Sequence, residues 1–148
     1  MADNANIVVR AENQGYRNTV VRASLVSDGS GLSAYALVGA TSAAIGAVNL
    51  SVTQAGQTFY PGTHLTIVGL DYDVQDMKLE LLWKATANEQ IMALGSAPED
   101  FVWTKFGGIR VPSGLAGATG DILLTTLNQA SNSTFMLILY LRNNVPQS

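Results

Sequence analysis

A single histidine, His64, is the first place to look for chemistry in this 148-residue chain. A Ser-His-Asp relay would have to run through it, because imidazole is the side chain that takes and returns a proton near neutral pH. No Gly-x-Ser-x-Gly nucleophile turn accompanies it, and it stands at the start of an expected strand, where a lone histidine is structural or solvated. Asp71, Asp73 and Asp76 are the candidate metal ligands. Alternate residues of a strand share a face, a following bend would bring the third carboxylate near, and calcium takes hard oxygen ligands of this kind. EF-hand spacing and a closing glutamate are both missing, so a solvated strand end is the competing reading. Gly114, Gly117 and Gly120 lack the Gly-Lys-Ser/Thr ending of a phosphate loop and read as a flexible surface loop, with Leu115 available for contacts.

Paired carboxylates of the kind glycoside hydrolysis uses are equally thin. Glu99 and Asp100 are adjacent and diverge on a strand. Glu80 and Glu89 fall on the two arms of an expected hairpin, with Lys78 and Lys84 at hand for ordinary surface pairing. Tyr60, Tyr72, Trp83 and Trp103 are candidates for a sugar platform. Trp83 falls on an apolar strand face and belongs to the core; Trp103 is freer, and reads first as a core or intersubunit anchor. No catalytic residue, cofactor or committed metal site is expected from these patterns.

Charge is the more informative quantity. Asp, Glu, Lys and Arg make up 13% of the chain, while 47% is hydrophobic; soluble domains carry about 25% charged residues. Mixed surface charge keeps monomers apart, so a chain that lacks it is expected to have much of its surface covered by copies of itself or by a partner. The net charge is −3 and the cations are scattered, which argues against nucleic acid as that partner. Cysteine is absent, which excludes disulfides, thiolate zinc sites and cysteine nucleophiles. The opening residues have neither the basic nor the apolar region of a signal peptide. No apolar run reaches the length of a membrane helix. A cytoplasmically made product with no membrane contact is the expectation.

Period-two alternation places the strands. Ile7, Val9 and Ala11 alternate with Val8, Arg10 and Glu12. Val21, Ala23 and Leu25 line the inner face of a strand from about residue 18 to 27, closed by the turn signal Ser27-Asp28-Gly29-Ser30-Gly31. Further strands are expected near 34–38, 48–53, 63–74, 77–84, 89–94, 121–127 and 135–141, with 95–100 a loop, 101–103 a short aromatic segment separated by Gly107-Gly108 from 109–111, and 112–120 a glycine-rich loop. Phe135 to Leu141 is apolar on both faces and is expected to lie centrally between two layers. About eight to ten short strands with frequent turns predict an all-β, jelly-roll-like sandwich. Residues 16–148 form its single domain and residues 1–15 an N-terminal arm contacting a neighbouring subunit by β-augmentation. Removing residues 1–12 is then expected to spare the fold and weaken assembly. Ile7, Val9, Arg10, Trp103 and Leu115 are the interface candidates.

Several stretches carry a resemblance: Leu25-Val26-Ser27-Asp28-Gly29-Ser30-Gly31-Leu32-Ser33, Leu81-Leu82-Trp83-Lys84-Ala85-Thr86, Phe106-Gly107-Gly108-Ile109, residues 117–126 and the closing strand 134–142. Together they resemble the small cement or decoration proteins of tailed-bacteriophage heads. The likeness implies a jelly-roll-like sandwich on the exterior of a capsid, a homo-oligomer whose partners are the major capsid protein and copies of itself, and no enzymatic role. It carries no residue-by-residue functional map. The competing class is a carbohydrate- or receptor-binding sandwich of the tail-spike or lectin type.

Overall fold

The computed structural model describes residues 2–12, 18–41, 47–95, 98–102 and 108–143. A short helical turn, α1 (Asp3–Asn6), leads into β1 (Val8–Glu12) and β2 (Asn18–Asp28). β3 (Tyr35–Gly39), β4 (Val48–Asn49), β5 (Val52–Gln54), β6 (Gln57–Phe59), β7 (Leu65–Gln75), β8 (Lys78–Trp83), β9 (Glu89–Leu94), β10 (Pro98–Val102), β11 (Ile109–Arg110), β12 (Ile122–Leu127) and β13 (Ser131–Asn143) follow. One sheet runs β1-β2-β13-β7-β10, with β11 also on β7; the other runs β4-β3-β12-β8-β9. All pairings are antiparallel except β3 with β4.

The partners are nested. β2 pairs with β13, β3 with β12, β7 with β10 and β8 with β9. This is one long antiparallel ribbon rolled over itself, so the fold is a jelly-roll β-sandwich. Its interior is filled by alternate residues of both sheets: Val21, Ala23, Leu25, Leu137, Leu139 and Leu141 from one, Leu37, Leu79, Leu81, Trp83, Ile122 and Leu124 from the other. β5 and β6 form a separate two-stranded hairpin. Two- and three-residue strands such as β4 and β11 lie below what periodicity can resolve, which is why thirteen strands stand among the described residues where eight to ten were expected.

Three departures from the sequence expectation have physical causes. Pro98 to Asp100 is not a loop: it begins β10, at a strand's first position, where the missing proline N–H does no harm. A bulge in the β13–β7 pairing between Tyr140 and Leu141 inserts one residue into β7, so Leu70 joins Ile67 inside, although simple alternation puts them on opposite faces. β13 is central within its sheet, yet only Phe135, Leu137, Leu139 and Leu141 are buried in the core. Its other face is open, because an antiparallel sandwich sheet needs cover on one side only.

The N-terminal segment is laid onto its own chain rather than projecting as an arm. β1 pairs in register with β2 from Val8↔Ser24 to Glu12↔Val20, and Ile7, Val9 and Ala11 pack against the core. Asp3 is fully buried. Its carboxylate accepts from Ser27 Oγ (2.6 Å), Asp28 N–H (2.9 Å) and Gly31 N–H (2.8 Å), and its own N–H donates to Ser30 Oγ (2.9 Å). The Ser27–Gly31 turn is therefore a receptor for a carboxylate, and removal of residues 1–12 would cost stability.

Candidate functional site

The residues that could have done chemistry are dispersed. His64 is exposed in a 3-10 turn, Gly62–His64. Asp71 and Asp73 do share the outer face of β7, but Asp71 Oδ2 accepts from Tyr140 Oη (2.8 Å) and Asp73 Oδ1 from Gln75 Nε2 (2.8 Å). Asp76 sits beyond them with a positive φ of 61° at the corner between β7 and β8, and its carbonyl accepts from Ser133 Oγ (3.0 Å). Among the described residues no three acidic, histidine or cysteine side chains converge on one point. Glu80 pairs in register with Ala93, and Glu89 with Trp83, so the two glutamates do not face each other. Trp83 and Tyr72 are buried in the core, which removes both from a sugar platform. Trp103 and the side chains of Glu99 and Asp100 lie outside what the structure describes.

Two buried carboxylates hold loops instead. Asp121 Oδ1 accepts from the Ala40 N–H (2.7 Å), tying the start of β12 to the end of β3. Asp3 gathers the 27–31 turn. Within that turn the exposed Asp28 carboxyl accepts from Ser30 Oγ (2.6 Å) and Ser30 N–H (2.9 Å). These bonds, the side-chain one foremost, favour the ionised form and hold its pKa below the ordinary 3.8. The glycine-rich loop is tied down as well: Thr86 N–H donates to the Ala116 carbonyl (3.0 Å) and Thr119 N–H to that of Lys84 (3.2 Å). Leu115 is half-buried against the core. Ile7 and Val9 are likewise half-buried against it, so three interface candidates contribute to packing. Arg10 is exposed on the outer face of β1.

What the chain does present is that outer face. Along β1, β2, β13 and β7 the outward residues form cross-strand rows: Val26, Thr134 and Gln75; Val8, Ser24, Met136 and Asp73; Arg10, Arg22, Ile138 and Asp71. Val26 is 63% exposed, Val8 49% and Met136 39%. A shallow depression of about 520 Å³ runs between them, lined also by Asn6, Ser24, Asp73, Gln75 and Thr134. The outer face of the other sheet differs: Leu82 and Leu123, partners across β8 and β12, are both buried there. Val8, Val26 and Met136 were not among the sequence candidates. Their signal was present in the alternation, which put Val8 opposite to Ile7 and Val9, and Val26 opposite to Leu25.

No protein-family model, curated protein or solved structure matches this chain. No helix among the described residues is long and apolar enough to cross a membrane.

Proposed function

We propose that this chain is a structural virion protein, a cement or decoration protein that binds the exterior of a bacteriophage head and stabilises the shell. The observation that carries the reading is the open face of the β1-β2-β13-β7 sheet, where Val8, Val26 and Met136 stand exposed together on a chain with sparse surface charge. Such a surface gains free energy by being covered, and apolar centres with polar rims are the anatomy of protein–protein contacts. The described carboxylates that are buried, Asp3 and Asp121, are engaged in holding loops. Leucine, valine and tryptophan fill the interior. Jelly rolls occur in shell proteins and lectins alike, so fold does not choose between them; the sequence resemblance to phage cement proteins favours the first. The saccharide reading loses Trp83 and Tyr72 to the core.

The deciding experiment adds purified protein to phage shells that lack it. Co-sedimentation with the shells and a higher temperature of shell disruption are the expected results. Protein left in the supernatant at saturating concentration refutes the reading, and saccharide quenching of tryptophan fluorescence would favour the glycan-binding alternative.

A further inference from the structure

One peptide bond of this sandwich is labile by type. Asp28-Gly29 stands where β2 ends, with Asp28 exposed and Gly29 at a φ of +94°. At an Asp-Gly bond the glycine nitrogen can attack the aspartate Cγ. Water leaves, a cyclic succinimide forms, and water then opens the ring. Opening at Cγ restores aspartate. Opening at the former main-chain carbonyl routes the backbone through Cγ and leaves isoaspartate. One water is released and one consumed, so nothing is oxidised or reduced. Glycine favours the closure because no Cβ shields its nitrogen or restricts its backbone.

The groups that would react are tied, and the ties lead back to Asp3. The Gly29 N–H, whose nitrogen would attack, donates to Ser27 Oγ (2.9 Å), and that hydroxyl donates to Asp3 Oδ2 (2.6 Å). The Asp28 N–H donates to Asp3 Oδ1 (2.9 Å). The Asp28 carboxyl, which would be attacked, accepts at Oδ1 from Ser30 N–H (2.9 Å) and Ser30 Oγ (2.6 Å). Ser30 Oγ is itself oriented by accepting from the Asp3 N–H (2.9 Å). A hydroxyl engaged as donor and as acceptor has its rotor fixed, and linked bonds of this kind act together. Ring closure requires the Gly29 nitrogen to leave Ser27 and the carboxyl to turn from Ser30. The reaction therefore waits for local opening of the turn.

We propose that Asp28-Gly29 is an isoaspartate-forming site kept latent by the docked N-terminal segment, and that its isomerisation releases that segment. The carbon inserted into the backbone falls between the Asp28 and Gly31 amides, which the two oxygens of Asp3 hold together. One carboxylate no longer fits both. β1 follows Asp3 by the single turn α1 and is the outermost strand of its sheet, hydrogen-bonded to β2. Losing the anchor thus frees an edge and leaves the centre of the sandwich paired.

The full chain tests both halves. Parent, Ser27→Ala, Asp3→Asn and Gly114→Ala are incubated at 37 °C, with the parent unfolded in guanidinium as reference. Protease digests are then resolved for the peptide of unchanged mass that carries isoaspartate at position 28. The folded parent is expected to isomerise at least about tenfold more slowly than the unfolded chain. Ser27→Ala and Asp3→Asn, folded by circular dichroism, are expected to exceed the parent rate by at least about fivefold. Gly114→Ala, changed where a Cβ meets open space, is expected to keep the parent rate, which separates opening of this turn from general loss of stability. Equal rates in folded and unfolded parent, parent rates in both Ser27→Ala and Asp3→Asn, or an equal rise in Gly114→Ala overturn the latch. For release, isoaspartate-bearing molecules are separated by chromatography and compared with the parent by hydrogen exchange. Loss of protection across β1 is the expected result; unchanged β1 protection overturns that half.

Discussion

Replacing Asp3 tests whether the N-terminal segment is part of the fold. The side chain is fully buried and accepts three hydrogen bonds, from Ser27 Oγ, Asp28 N–H and Gly31 N–H. In Asp3→Ala all three donors lose their acceptor. The Asp28 and Gly31 amides are near the surface and partly regain water, so about 1 kcal/mol each is reasonable, with about 2 kcal/mol for the buried, charge-assisted bond from Ser27. The sum, about 4 kcal/mol, lowers the melting temperature by roughly 8–16 °C for a domain of this size. Asp3→Asn keeps one acceptor oxygen but turns an NH2 group toward an N–H donor, and about half that loss is expected. Ser27→Ala and Asp3→Ala should be non-additive by about 1 kcal/mol or more, since they share a bond. Thermal unfolding followed by circular dichroism and calorimetry reads the parent, the three single variants and the double variant. An Asp3→Ala variant melting within about 2 °C of the parent would refute the idea that this carboxylate organises the 27–31 turn.

The carboxyl of Asp28 gives a pH signature: its folded pKa lies below the ordinary 3.8, so its stabilising effect is full above that value and fades as pH falls through the folded pKa. Melting temperature measured from pH 5 downward should therefore drop less steeply in Asp28→Asn than in the parent. A Cβ at Gly120, where φ is +87°, would strike the Gly62 carbonyl, whereas at Gly114 it meets open space. Gly120→Ala should then cost well over the ~1 kcal/mol of backbone strain expected for Gly114→Ala, read from urea midpoints at constant slope. Ala55 turns the β5–β6 hairpin with a φ of 53° ahead of Gly56 at 81°. Ala55→Asn creates the favoured Asn-Gly turn and should stabilise by about 0.5–1 kcal/mol in the same assay.

The sequence disclosed the inner face of the sandwich well and its outer surface poorly. Val21, Ala23 and Leu25, or Leu79, Leu81 and Trp83, each sit within one strand, and period-two spacing reports their shared face directly. The bulge in β7 escaped because it belongs to the pairing with β13, some seventy residues away. The role of Ser27–Gly31 escaped for a related reason: its turn chemistry is local, but the carboxylate it receives comes from Asp3. Gly117 and Gly120 looked like slack in a surface loop; their close approaches to Thr86 and Gly62 are tertiary facts that glycine content cannot convey. The row Arg10, Arg22, Ile138 and Asp71 is drawn from four strands, and no window along the chain contains it.

The two outer faces of the sandwich differ, and the difference bears on what each could bind. Leu82 and Leu123 face outward from the second sheet yet are shielded, while Val26 and Met136 face outward from the first and are not. Burying an exposed valine or methionine contributes about 1.5–3 kcal/mol when complete, so a second copy and a shell would compete for the first sheet if both docked there. Their requirements differ, however. A two-fold contact asks each residue to face its own symmetry mate or a group complementary to it. A shell asks for no such self-complementarity. Met136→Glu therefore separates the two uses: self-association lost with shell attachment spared assigns this face to a second copy, and the reverse assigns it to a shell. Loss of both together would instead place one shared face at the centre of the protein's work.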